Sequence, residues 1–358
     1  MSAERIVEQV LGRWIEPALG RSLMDAGAVR GIEAAGNTVK ITLELPFPAA
    51  RYRETLREML AAELAAAGVD ATLELDVRWE IPSATAQRGL QPFAGIRNIV
   101  AVASGKGGVG KSTTAANLAI ALAQEGARVG MLDADIYGPS QPRMLGIHGR
   151  PASPDGKTME PLENHGVKCM SIGFLVDEEQ PMVWRGPMVT QALTQLLNET
   201  RWGELDYLIV DMPPGTGDTQ LTMSQRVPLA GAVIVTTPQD IALLDARRGL
   251  QMFRKVDVNV LGLIENMSMH VCSNCGHEEH IFGAGGGERM AAQYGARLLG
   301  SLPLDISIRE QTDAGAPTVA AEPEGRIAVT YRAIARAAAA ELAKGGGGAF
   351  PEIVVEET

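Results

Sequence analysis

Residues 105–113 read Gly105-Lys106-Gly107-Gly108-Val109-Gly110-Lys111-Ser112-Thr113. Gly105, Gly110, Lys111 and Ser112 fill the fixed positions of the G-x-x-x-x-G-K-[ST] pattern, whose chemistry is the cradling of nucleoside triphosphate phosphates. Glycines let the backbone come close to an anion and reach positive φ. Lys111 is placed to reach the β- and γ-phosphates, and the Ser112 hydroxyl to ligate Mg²⁺. Lys106 is an addition that the pattern does not require. From spacing alone it reads as a solvated loop lysine.

A magnesium–nucleotide site also needs carboxylates. Two apolar runs end in them: Arg128-Val-Gly-Met-Leu132 before Asp133-Ala134-Asp135, and Tyr207-Leu-Ile-Val210 before Asp211. One Asp after a strand is often only a cap or turn residue. Two of them in a chain with an intact phosphate loop fit the task of holding Mg²⁺, directly or through water. Pro213-Pro214-Gly215-Thr216-Gly217 cannot continue a strand or helix, so it reads as a loop where a γ-phosphate sensor would lie.

The second chemical signal is Cys272-Ser-Asn-Cys275, followed by Gly276, His277 and His280. Two thiolates at this spacing can share a metal but do not complete a tetrahedral shell. Three readings are open: a redox dithiol, without a thioredoxin-like context; a zinc site completed by His277 or His280; or a Cys₄ shell for a [4Fe–4S] cluster, shared between two subunits. Spacing alone favours zinc slightly. Cys169, the third cysteine, lies in a strand-like run and reads as a small buried residue.

The elements that must position these groups are legible. Asn98–Ala103 is an apolar, β-branched run that reads as a buried parallel strand. Thr113–Gln124 is Ala- and Leu-rich without a breaker and reads as a helix. The loop between them therefore meets a helix N-terminus, where free N–H groups and the helix dipole favour anions. Further apolar runs near 128, 207, 232, 260 and 298 alternate with helical stretches, which predicts a mostly parallel sheet covered on both faces. Residues 1–81 read separately, as a small α+β domain. Ile6, Val10 and Leu11 share a helical face; Val39, Ile41, Leu43 and Leu45 alternate as a one-sided strand. Tyr52, Leu56, Met59, Leu60 and Leu64 return to helical spacing, and Ala71, Leu73, Leu75, Val77 and Trp79 alternate again. Residues 82–96 read as a flexible linker and 97–344 as the ATPase domain. Residues 345–358 read as a flexible acidic tail.

Read in order, Lys106–Thr113, Leu132-Asp-Ala-Asp-Ile-Tyr-Gly-Pro-Ser140, Trp184-Arg185-Gly-Pro-Met188, Asp211–Asp218, Thr236-Thr-Pro-Gln239, Glu265-Asn-Met-Ser268 and Cys272–Cys275 resemble the Mrp/ApbC family of iron–sulfur cluster carrier ATPases. These are deviant-Walker P-loop proteins of the MinD/ParA-like (SIMIBI) class. The resemblance covers residues from about 96 to the 340s strongly, and the first eighty more loosely. It implies that Lys106 reaches the partner subunit's nucleotide across a homodimer. It implies that Asp135 orients the attacking water, that Asp211 is the Mg²⁺-side carboxylate, and that Asn266, after a run suited to a sheet edge, contacts adenine. It also implies an interface role for Arg185. It moves Cys272 and Cys275 from zinc to a labile [4Fe–4S] cluster bridging two subunits, destined for apo iron–sulfur proteins. The N-terminal part resembles an assembly domain often fused ahead of these ATPases. Leu45-Pro-Phe-Pro-Ala49 lacks the cysteine that some of those domains carry, so docking to partners is the expected role; the partners that the resemblance implies for the whole chain are apo iron–sulfur proteins and cluster assembly factors.

Composition narrows the competing classes. The formal net charge of −11 lowers the odds of nucleic-acid binding. The acidic tail is not the basic amphipathic helix that a membrane-positioning ATPase needs, and the apolar runs are of strand length. Met1–Gln9 is charged and has no apolar core of a signal peptide. A reduced cytoplasm is the expected setting. The alternative function is a MinD/ParA-like positioning or regulatory ATPase with structural zinc at the cysteine pair.

Overall fold

The computed structural model describes residues 3–84, 87, 90–176, 186–272 and 274–346. The tail beyond 346, Trp184 and Arg185 lie outside the described residues, as does part of the 82–96 segment.

The N-terminal part comprises α1 (Ala3–Arg13), a short ribbon of β1 (Ile15–Glu16) and β2 (Arg21–Ser22), β3 (Val29–Ala35), β4 (Thr38–Leu45), α2 (Tyr52–Ala66) and β5 (Thr72–Trp79). β4 pairs antiparallel with β3 and parallel with β5, so α2 is the crossover that a parallel pair requires. The two-residue period sets the faces: Val39, Ile41, Leu43 and Leu45 are buried, with Leu73 and Val77 beside them. α2 turns Tyr52, Leu56, Leu60 and Leu64 onto that face, while Met59 is only half-buried. In α1 the buried pair is Val7 and Leu11, four residues apart; Ile6 and Val10 flank it.

The larger part continues through β6 (Ile96–Ala103), α3 (Lys111–Gln124), β7 (Val129–Asp133), α4 (Gln141–Met144), β8 (Leu162–Asn164), β9 (Val167–Ser171), α5 (Gly186–Glu199) and β10 (Leu205–Asp211). There follow α6 (Asp218–Arg226), β11 (Gly231–Thr236), α7 (Asp240–Lys255), β12 (Val260–Glu265), the short strands β13 (His270–Val271) and β14 (Glu278–Glu279), and α8 (Gly286–Tyr294). β15 (Leu298–Ser301), α9 (Ile306–Asp313), α10 (Thr318–Ala321) and α11 (Arg326–Gly346) end the described chain. Eight strands form one sheet in the order β15-β12-β11-β6-β10-β7-β9-β8. All its pairings are parallel except β8 with β9. β7, β10 and β11 are buried at every residue, which is why they read as continuous rather than alternating apolar runs. β8 is only three residues long and left no periodicity to read. β15 lies outside β12, so Asn266 follows an inner strand and not the sheet edge that the sequence suggested.

The small part is clamped to the helix that follows the phosphate loop. Glu125, fully buried at the end of α3, accepts hydrogen bonds from the Arg51 and Tyr52 backbone amides at 2.9 and 3.2 Å. It thereby caps α2 from another part of the fold, since Arg51 provides no side-chain cap. Arg336 of α11 pairs with the other Glu125 oxygen at 2.5 Å and lies 4.1 Å from the Tyr52 ring centroid. The Tyr52 hydroxyl in turn donates to buried Glu16 at 2.7 Å. Within the 82–96 segment, Asn98 holds the backbone of Pro82 and Ala84 at 2.9 Å each. Removing one member of a buried ion pair strands its partner's charge, so Glu125→Gln is expected to lose about 3 kcal/mol of folding stability. Urea denaturation checks this; a variant within about 0.5 kcal/mol of wild type would show the network to be dispensable.

Candidate functional site: a phosphate loop and a displayed cysteine pair

The phosphate loop leaves the carboxyl end of β6 near the middle of the sheet; from β6 the chain crosses to β7 on one side, and from β10 it later crosses to β11 on the other. Such a switch point leaves a crevice above the strand ends. Gly108 and Gly110 have φ of +80° and +82°, the left-handed region that glycine occupies without strain. Gly105 has a different reason to be glycine. A Cβ there would lie 2.1 Å from the Asp245 carbonyl carbon, so it is the α7 backbone that excludes a side chain. Gly107 and Gly108 are exposed and form the open lip of the loop, while Val109 turns into the core. The first turn of α3 presents Lys111, Ser112 and Thr113. The Ser104 hydroxyl donates to the Lys106 carbonyl at 2.8 Å, and Gly215 of the 213–217 loop donates to the Ser104 carbonyl at 3.1 Å. The proline–glycine loop is thus stitched beside the phosphate loop.

β10 lies beside β7 with Asp211 paired in register with Asp133. Both carboxylates are fully buried. Asp211 forms an ion pair with Lys111, itself buried, and accepts from Gln141 Nε2 at 2.8 Å. Lys111 also donates to Ser112 Oγ at 3.0 Å. Asp133 accepts from the Ser140 and Gln141 amides at 3.0 Å each, from Ser171 Oγ at 3.1 Å and from the Asp135 amide at 3.2 Å. Burial, and next the charge of Asp211, push the Asp133 carboxyl well above the usual range, against the pull of its donors and Lys111. Asp135 is half-buried, and its carboxyl is raised mainly by burial, with Lys111 opposing. Sequence reasoning passed over Asp133 as a site residue and did not see Gln141 at all. Asp133 had a signal in its place at a strand end; Gln141, in Ser140-Gln141-Pro142, had none.

Lys106 is half-buried, and among the described residues its ammonium makes no hydrogen bond or ion pair. Asn266 Nδ2 donates to the Val109 carbonyl at 2.9 Å and would lie 2.2 Å from a Cβ on Gly110. It therefore props the underside of the phosphate loop. The set fits a magnesium–nucleotide: left-handed glycines, free helix amides, a lysine, a hydroxyl and a buried carboxylate. Gln141 Oε1 adds a buried acceptor without a partner among the described residues.

Cys272 and Cys275 stand at the turn of a hairpin. β13 and β14 pair antiparallel, Val271 opposite Glu278, and the Cys272 amide donates to the His277 carbonyl at 2.9 Å. Gly276 closes the turn at φ +72°. Cys272 is half-buried and Cys275 exposed. Amides of Asn274 and Cys275, then the Cys275 thiol, point at the Cys272 sulfur and lower its pKa. Such a turn favours the thiolate that a metal requires. His280 Nδ1 lies 2.7 Å from the Ser268 carbonyl, and His270 Nδ1 lies 3.1 Å from the Leu304 carbonyl. Among the described residues no three His, Cys, Asp or Glu side chains gather into a metal shell. Cys169 is fully buried in β9, as expected, and burial raises its thiol well above the ordinary value. Among the described residues no helix is long and apolar enough to cross a membrane.

Comparison with known proteins bears on both halves of the chain. Residues 95–339 match the family model of the NUBPL iron-transfer P-loop NTPases, and residues 4–72 match a model of iron–sulfur cluster assembly proteins. A relative from Haemophilus influenzae, called an iron-sulfur cluster carrier protein, is 48% identical over 352 residues, covering 98% of this chain and 95% of its own. Among solved structures, an Archaeoglobus fulgidus nucleotide-binding protein in complex with ADP is 38% identical, with a TM-score of 0.57, over 64% of this chain and 90% of that one. MinD from Pyrococcus horikoshii, complexed with Mg-ADP, is 26% identical with a TM-score of 0.50, over 66% of this chain and 94% of that one. The eight-stranded sheet is thus a MinD/ParA-like fold, and with its phosphate loop, paired aspartates and family match the chain belongs to the NUBPL-type iron-transfer P-loop NTPases.

Proposed function

We propose that this chain is an ATP-hydrolysing carrier of iron–sulfur clusters that works as a homodimer in the cytoplasm. The observation that carries the reading is the display of two cysteines at an exposed hairpin turn of a P-loop domain, where among the described residues no third His, Cys, Asp or Glu gathers with them. One chain supplies half of a Cys₄ shell; two chains supply all of it. The cargo is a [4Fe–4S] cluster held by Cys272 and Cys275 of both copies, and the recipients are apo iron–sulfur proteins. The name of the Haemophilus influenzae relative supports this. Against the zinc alternative, no third His, Cys, Asp or Glu side chain among the described residues gathers with the cysteine pair.

The nucleotide half follows from the loop. Gly105–Thr113 wraps the phosphates of ATP, with Lys111 on the β- and γ-oxygens. Ser112 and Asp211 would hold magnesium, which when bound neutralises charge developing on the phosphates. Asp135, raised by burial and close enough to feel Lys111, orients the attacking water. Lys106 acts across the dimer on the partner's nucleotide, and Asn266 sets the loop while facing the nucleobase side. The N-terminal domain, residues 1–81, is the dock for assembly factors; 82–96 joins it to the ATPase domain at 97–344, with 345–358 as a tail. Neither membrane nor nucleic acid is a partner.

The test is transfer. The chain is reconstituted anaerobically with iron and sulfide, freed of excess, and offered to an apo [4Fe–4S] enzyme. The expected result is acceptor activation faster than with equal free iron and sulfide. Equal rates, or zinc uptake without iron, would sink the carrier reading.

A further inference from the structure

Gln141 is fully buried, yet its position in a four-residue helix gives no packing reason for an amide. Its polar atoms face the site from three directions. The backbone amide donates to Asp133 Oδ2 at 3.0 Å. The side-chain Nε2 donates to Asp211 Oδ2 at 2.8 Å and to the Ser112 carbonyl at 3.0 Å, using both of its hydrogens. The remaining atom, Oε1, is buried and has no hydrogen-bond partner among the described residues. A single residue thus joins the loop that carries Asp133 and Asp135, the start of α3 and the carboxylate at the end of β10. A buried acceptor without a partner is costly, and such groups mark sites where a donor arrives from outside the protein.

We propose that Gln141 is a positioning residue for the metal. Its amide fixes one oxygen of Asp211 against the Ser112 backbone, and Oε1 accepts a hydrogen bond from a water on the magnesium. The chemistry demands a neutral group with both a donor and an acceptor. Lysine or arginine would compete with the metal for Asp211, and a third carboxylate would repel the two already buried there. Asp211 is held by two donors, Lys111 and Gln141. When phosphates draw Lys111 away, Gln141 is the donor that stays. This role rests on the magnesium–ATP reading of the site.

Gln141→Met keeps length and volume and removes both polar atoms. Binding of a fluorescent ATP analogue is measured with EDTA and across a Mg²⁺ titration, alongside the melting temperature. The expected result is analogue binding in EDTA within about twofold of wild type, with half-saturating Mg²⁺ raised about tenfold, the scale of one hydrogen bond to a charged group. A folded variant with unchanged Mg²⁺ requirement overturns the inference. So does an equal loss of affinity with and without Mg²⁺, which is what a merely structural residue would give. A second measurement needs no variant: in the wild-type chain with ADP, a slowly exchanging glutamine side-chain amide signal should shift on adding Mg²⁺. Absence of any such shift also overturns it. If wild type itself binds the analogue no better with Mg²⁺, it is the magnesium–ATP reading that fails.

Discussion

Replacing Cys272 and Cys275 together by alanine is expected to cut iron and sulfide uptake to less than about a tenth of wild type, since the shell loses every thiolate it has. Each single variant should come close to the same loss, because a half-complemented shell leaves cluster iron without ligands. Cys169 cannot substitute; it is fully buried in β9 with a raised thiol pKa. The hairpin should survive the change, as its backbone bonds between Cys272 and His277 and between Cys272 and Gly276 need no sulfur. Iron and acid-labile sulfide per dimer, with the visible absorbance of the cluster, provide the check. Iron content undiminished in the double variant would place the cluster elsewhere and end the hairpin assignment.

Lys106→Ala is expected to bind ATP within a few-fold of wild type and to lose about 10³-fold in kcat, the lower end of what a cation supplied across an interface contributes to phosphoryl transfer. The separation of effects comes from geometry. Lys111 is buried beside Asp211 and Ser112, whereas the Lys106 ammonium is without an intrachain partner among the described residues. Lys111→Ala should therefore lose binding and Lys106→Ala turnover. Mixing the two variants supplies the decisive comparison. In a mixed dimer the intact loop of one copy meets the intact Lys106 of the other, so part of the turnover should return. No recovery on mixing would mean that Lys106 acts within its own chain.

Much of the architecture was legible because the signals were local and strong. The largely apolar runs within β6, β7 and β10 read as buried parallel strands, and the phosphate loop fixed which strand and helix flank it. The alternation in β4 and β5 read directly as faces. What escaped was non-local. Asp133 and Asp211 are distant in sequence and become neighbours only through the β7–β10 register. Gln141 takes its meaning from groups on two other elements. Glycine at 105 answers to the α7 backbone, which no loop pattern reports. The bond from the Asn266 amide to the Val109 carbonyl likewise joins residues far apart in sequence. The edge strand β15 follows a stretch dominated by the cysteine hairpin and α8, so sequence order concealed that it covers β12.

The Lys111–Asp211 pair makes nucleotide entry an exchange of ions. Both groups are buried, so neither can be taken alone without leaving an uncompensated charge. A triphosphate that captures Lys111 strands Asp211; a metal that captures Asp211 strands Lys111. Taken together, the two arrivals replace one pair by two, and the local charge stays balanced throughout. ATP and magnesium must then tighten each other's binding by the same factor, whichever comes first. The resting pair thus discriminates against uncomplexed nucleotide and against stray divalent ions, a useful property in a protein that also handles iron.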